Sequence, residues 1–226
     1  MKLVRTVVCD IEGTTSSLDF VHHVLFPYSA RALPAFIRAH GDAPDIAPLL
    51  TGVRQEAGEP SATRERVIEI LLGWIAEDRK ATPLKALQGL VWERGYRAGD
   101  FTGHVYEDTA PAFRRWRAQG ATLCIYSSGS VHAQQLLFGH SDAGDLRPLI
   151  EHWFDTRIGA KRDPESYRRI AVTVGRPADT ILFLSDTAAE LDAAAEAGLR
   201  TVQVARGERT GGGRHPVVRG FEEVTI

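Results

Sequence analysis

The sequence predicts an α/β fold, a doubly wound parallel sheet carrying an inserted all-helical subdomain. Two observations predict it. Short apolar runs alternate with helical patterns through the second half of the chain, and one long stretch after the first run holds helical patterns with no clear strand.

Four apolar runs read as buried parallel strands: LVRTVVC (3–9), ATLCIY (121–126), ILFLS (181–185) and RTVQVA (200–205). EHWFD (151–155) is a candidate fifth. Between them, DTAPAFRRWRAQG starts at Asp108 or Thr109 as N-cap, and this segment, PESYRRIAVTVG and TAAELDAAAEAG all end at glycines suited to helix termination. Residues 16–103 break the rhythm. Val67, Ile68, Leu71, Leu72 and Ile75 recur at helical spacing, and Pro83 opens a second helical run. The sequence therefore divides into 1–15 with 104–226 as the core and 16–103 as a helical cap inserted after the first strand. Gly99 and Gly103 mark a hinge at the return, and GERTGGGRHP (207–216) reads as a turn-rich surface loop.

The chain has 226 residues, 43% of them hydrophobic and 25% charged, enough to bury a core. A formal net charge of −2 without a clustered Lys/Arg stripe argues against nucleic-acid and membrane-surface partners. The start MKLVRTVVCD lacks a signal-peptide pattern and no segment approaches a membrane span, so a cytoplasmic protein is expected. A monomer is expected as well. Cys9 and Cys124 lie within strand runs and read as buried packing groups rather than a disulfide pair.

In a parallel sheet, ligands bind beyond the carboxyl ends of the strands. Those ends supply Asp10 and Glu12, then Ser127 and Ser128, then Lys161, then Asp186. Residues two apart in extended chain point the same way, so Asp10 and Glu12 can face one point, and Gly13 permits the turn that follows. A third acid, Asp186, completes a hard oxygen site that suits magnesium. A lysine and a hydroxyl aimed at the same place suit a phosphate, as does the helix after YSSGS, whose free N–H groups face an anion. The set predicts metal-assisted phosphoryl transfer with an acid free to attack phosphorus.

DIEGTT, YSSGS, Lys161 in IGAK and FLSDTAAELDAAAEAG resemble the four ordered motifs of the haloacid dehalogenase superfamily, whose first motif is D-x-D-G-T. Glu12 departs from that pattern. DIEGTT together with YSSGSVHAQQLLFGHS is similar to the enolase-phosphatase branch that serves methionine salvage, over residues 7 to about 206 and more weakly in HPVVRGFEEV.

The resemblance implies a Rossmann-like catalytic core and the conversion of a small phosphorylated diketone, 2,3-diketo-5-methylthiopentyl-1-phosphate, to an acireductone and phosphate. It implies Asp10 as nucleophile or magnesium ligand, Glu12 as ligand and proton carrier, Asp186 as third acidic ligand, Ser127 and Ser128 on the phosphate, and Lys161 balancing charge. Glu12 sets its carboxyl ~1.5 Å further out than an aspartate would, one carbon–carbon bond. His22, His23 and Glu12 are the candidate bases for enolisation.

Each residue also has a plainer reading. Ser128 could cap the following helix, Thr14 and Thr15 could be turn residues, and Glu190 could lie on a solvated helix face or steer Lys161. A simple sugar or nucleotide phosphatase, a metal-free dehalogenase and a phosphoacceptor module are the rival functions. Substrate profile, sensitivity to EDTA and turnover separate them in that order.

Overall fold

The computed structural model describes residues 3–207 and 213–226, so part of the glycine-rich loop expected at 207–216 lies outside the described residues. The chain divides into two compact units, Met1–Leu18 with Thr102–Ile226, and Asp19–Phe101.

Among the described residues the first unit is built on six parallel strands: β1 Thr6–Cys9, β2 Thr122–Tyr126, β3 His152–Phe154, β4 Ile181–Ser185, β5 Arg200–Val204 and β6 Val217–Val218. Their order is β3-β2-β1-β4-β5-β6. β1 is shorter than its apolar run because pairing with both neighbours begins at Thr6, opposite Thr122 and Ile181. β6 follows the glycine-rich loop and has no apolar run of its own long enough to announce it. The strand order reverses direction at β1 and β4, which makes their carboxyl ends the switch point of the sheet.

The second unit is helical, with no strand in Asp19–Phe101. α1 (Leu18–Phe20) runs through a π-helical turn, Val21–Leu25, into α2 (Phe26–His40), followed by α3 (Ala47–Ala57), α4 (Arg64–Ala76) and α5 (Thr82–Ala98). In the π turn the Phe26 amide reaches Val21 O, and the Trp92 indole donates to Leu25 O at 2.9 Å. Thr63 caps α4 by accepting from the Arg66 amide, and Pro83 sits in the first turn of α5. Val67, Ile68, Leu71 and Ile75 are buried as their spacing predicts, while Leu72 is half-buried.

The sheet of the first unit is covered on both faces. On one, Phe113 of α6 (Thr109–Ala118) stacks on Phe138 of α7 (Val131–Gly139), whose ring lies 5.7 Å from Trp153 of β3. On the other, Val8, Cys124, Tyr126, Phe154 and Phe183 pack with Tyr167 and Ile170 of α8 (Pro164–Val174) and Leu191 and Ala194 of α9 (Ala188–Glu196). Cys124 pairs opposite Val8 while Cys9 pairs opposite Ile125, so strand alternation sends the two thiols to opposite faces. Both are free and buried, and burial raises the Cys9 thiol well above its ordinary pKa and pushes Cys124 up to about 12.

Gly103 is not the free hinge its sequence context suggests. Its amide donates to His140 O and its carbonyl accepts from the Asp142 amide, both at 2.8 Å, and a Cβ there would strike the backbone of Leu137. No helix among the described residues is long and apolar enough to cross a membrane.

Candidate active site

Asp10 is the first residue beyond β1 and Asp186 the first beyond β4, neighbouring strands at the switch point. Asp10 is buried, and its Oδ1 accepts from the Ile11 amide at 2.7 Å and from Lys161 Nζ at 2.6 Å. Its Oδ2 has the Ser185 hydroxyl at 3.4 Å. The loop that follows closes on itself, since the amides of Thr14, Thr15 and Ser16 all donate to Ile11 O.

Gly13 and Thr14 couple this loop to Asp186. Gly13 has φ +75°, and a Cβ on it would lie 2.6 Å from Asp186 Oδ2, so glycine serves both the turn and the close approach of the carboxylate. Thr14 Oγ1 accepts from the Asp186 amide at 3.0 Å, while Thr15 Oγ1 donates to Asp10 O at 3.0 Å. Both threonines are thus turn residues, and Thr14 also fixes the second acid. Glu12 is partly exposed on the turn, where its backbone bridges to Ser16.

Lys161 arrives from the loop between β3 and α8. Tyr126 of β2 donates its hydroxyl to Gly159 O at 2.9 Å and Tyr167 of α8 donates to Lys161 O at 2.7 Å. Asp163 caps α8 by accepting from the Glu165 amide. So held, the Lys161 ammonium, with its side chain 11% exposed, meets Glu190 Oε2 at 2.7 Å as well as Asp10. Glu190 therefore steers Lys161 rather than lying on a solvated face. Ser185, which sequence reasoning passed over, donates to Glu190 Oε2 at 3.0 Å; a hydroxyl closing an otherwise apolar strand was its only signal.

Burial works against the charged form of Lys161, but the charges of Asp10 and Glu190 outweigh it and raise its pKa. The ammonium stays charged. Burial raises Asp10, with Lys161 opposing and Asp186 adding to the rise; burial and then the charge of Asp10 raise Glu190. One cation among three carboxylates leaves the cluster electronegative.

Ser127 follows β2, buried, and its Oγ accepts from the Gly129 amide at 3.1 Å. The cap of α7 is Ser130, whose Oγ accepts from the Ala133 amide, so Ser128 is not the helix cap. Gln134 ties the loop down by donating to both Gly129 O and Phe154 O at 2.8 Å, and Asp155 Oδ2 accepts from the Val131 amide. The structure thus places Asp10, Lys161, Glu190 and Ser185 in one hydrogen-bonded cluster, with Asp186 locked to the loop after β1 and Ser127 at the end of the adjoining strand. His22 and His23 lie exposed on the π-helical turn of the other unit.

Among the described residues no three His, Cys, Asp or Glu side chains converge as a ready-made metal site. The donors nonetheless fit magnesium, which is commonly held by one or two carboxylates and keeps several waters. Asp186 lies near enough to Asp10 to disfavour its charge, a repulsion that a divalent cation relieves.

A family model for haloacid dehalogenase-like hydrolases matches residues 4–198. The enolase-phosphatase E1 of Pseudomonas aeruginosa strain UCBPP-PA14 is 55% identical over 99% of this chain and 99% of its own length. That of Azotobacter vinelandii is 56% identical over 98% and 97%. Among solved structures, the UTR4 protein of Saccharomyces cerevisiae superposes with a TM-score of 0.84 at 33% identity, covering 98% of this chain and 100% of that one. A CbbY structure from Rhodobacter sphaeroides in complex with phosphate, at 17% identity and a TM-score of 0.62, shares the fold.

Proposed function

The chain belongs to the enolase-phosphatase E1 family of haloacid dehalogenase-like hydrolases, and from that premise we propose how its residues divide the reaction. It is an enzyme of methionine salvage, converting 2,3-diketo-5-methylthiopentyl-1-phosphate to the acireductone and phosphate. The observation that carries the division of labour is the buried Lys161 ammonium bridging Asp10 and Glu190 beside the loop that locks Asp186.

Asp10 and Asp186 would hold magnesium, with Glu12 as a further candidate ligand; the ion would supply positive charge that stabilises the negative charge developed in the reaction. Lys161 neutralises Asp10 through Oδ1, which leaves Oδ2 to attack phosphorus. Ser127 and Ser128 receive the phosphate oxygens. As the ester P–O bond breaks, Glu12 passes a proton to the leaving oxygen, and water then hydrolyses the aspartyl phosphate. The proton lost in enolisation is acidified by the adjacent carbonyl, and Glu12 is the base that the loop after β1 carries. His22 and His23 are the alternatives on the helical unit.

The helical insertion, residues 16–103, serves as the cap that selects the methylthio substrate, and the remainder as the catalytic core. A cytoplasmic monomer without nucleic-acid or membrane partners completes the proposal, consistent with the net charge of −2. The test is an anaerobic assay of a diketo-alkyl phosphate that follows diketone loss and phosphate release together, with and without magnesium, beside a generic phosphate ester. Magnesium-dependent release accompanied by an enol signal, with poor cleavage of the generic ester, is the expected result. Equal cleavage of both without an enol signal would reduce the protein to a simple capped phosphatase.

A further inference from the structure

Arg206, two residues beyond β5, spreads its guanidinium over two partners. Nε and Nη2 both donate to Thr14 O, at 3.1 and 2.9 Å, and Nη1 donates to Asp108 Oδ2 at 2.7 Å. The group is clamped between two rings, 4.2 Å from the centroid of Tyr106 and 4.7 Å from that of Phe221. Its side chain is 13% exposed. A forked planar donor held between aromatic faces has little rotameric freedom left, so the carbonyl it grips is fixed in turn.

That carbonyl belongs to the residue whose hydroxyl accepts from the Asp186 amide, in the loop whose Thr14, Thr15 and Ser16 amides return to Ile11 O next to Asp10. Thr14 is thus gripped on its main chain by Arg206 and on its side chain by Asp186. We propose that Arg206 is a positioning residue for the reaction, setting the spacing of Asp10 and Asp186 through Thr14 without touching substrate. This rests on the function proposed above for those two acids.

A merely structural role would be to hold the C-terminal turn at Phe221. That turn has other anchors: the Phe221 amide donates to Asp108 Oδ2 at 2.5 Å, and Arg115 donates to Phe221 O at 2.7 Å. The bonds to Thr14 O are the part of the Arg206 network that these anchors do not duplicate.

The experiment compares Arg206→Lys, which keeps charge but loses the fork, with Arg115→Lys, which loosens the C-terminal turn without reaching Thr14. For Arg206→Lys the expected result is a kcat lower by about ten-fold or more with KM within about two-fold, as small misplacement of reacting groups produces. The magnesium concentration for half-maximal activity rises, and amide hydrogen exchange accelerates in peptides covering 10–16 and 185–187. Arg115→Lys lowers the melting temperature and moves none of these. Should the lysine variant not fold, Arg206→Gln, which retains a single donor group, takes its place. Wild-type kcat and exchange in the Arg206 variant, or the same pattern in both variants, overturns the proposal. The exchange arm needs no turnover, so inactivity of wild-type protein on the diketo phosphate would strike the proposed function and leave this inference under test.

Discussion

Lys161 Nζ lies 2.6 Å from Asp10 Oδ1, joining two residues 151 positions apart in a site where both side chains are nearly sealed from water. A buried charge pair is held less by its own attraction than by the cost of leaving either member alone. Lys161→Ala leaves Asp10 and Glu190 facing each other. Phosphate release should fall by at least ~100-fold, the scale seen when one preorganised charge-stabilising donor is lost. Retention of near-wild-type rate by a folded variant would remove Lys161 from the chemistry.

Asp10→Asn keeps the size of the side chain and removes its negative charge and nucleophilicity. Turnover should drop by about 10^4-fold or more, as loss of an attacking group does elsewhere. Rapid-quench analysis of the wild type should trap label from the phosphate on Asp10; an active asparagine variant rules out the nucleophile role.

Glu190→Gln preserves shape but halves the negative charge around the ammonium. It should fold normally and lose about ten- to a hundred-fold in kcat, the range typical for a supporting partner behind a working group. Unchanged kcat would make the 2.7 Å contact to Lys161 incidental.

Gly13→Ala places a methyl 2.6 Å from Asp186 Oδ2 and asks a non-glycine residue to hold φ +75°. The backbone alone should cost ~1–2 kcal/mol of stability. Activity should fall more steeply than the melting temperature, because Asp186 must move. Thermal melts and magnesium titrations on one preparation separate the two effects.

Asp155 gives a pH signature. Burial alone would raise its pKa, but Arg157, the Arg157 amide and the Val131 amide outweigh it and hold the group below the ordinary carboxylate range. A depressed folded pKa means the unfolded chain takes up the proton first. The stabilisation is therefore complete above the ordinary carboxylate pKa and is lost as pH falls through the lowered value. Asp155→Asn should lower the melting temperature at neutral pH, with the gap to wild type closing in acid; a gap that stays constant between pH 7 and pH 3 contradicts this.

Much of this was legible in the sequence because its signals are local. An apolar run stopping at an acid marks both a strand and its end, which sets Asp10 and Asp186 at strand ends from the sequence alone. The glycine that closes PESYRRIAVTVG marks the end of α8, where Gly175 takes the left-handed backbone. Tertiary structure decided what local chemistry leaves equivalent. Ser127, Ser128 and Ser130 are alike as letters, and only the turn after β2 made Ser130 the cap. Glu190 is one helical turn past Asp186 and was equally suited to solvent; the loop from β3 brought Lys161 to it. Arg206 carried no motif, and its grip on Thr14 exists because β5 neighbours β4 in the sheet. Periodicity and capping act over a few residues and can be read along the chain, whereas a contact across 151 or 192 positions depends on strand order, which is settled only when the whole sheet packs.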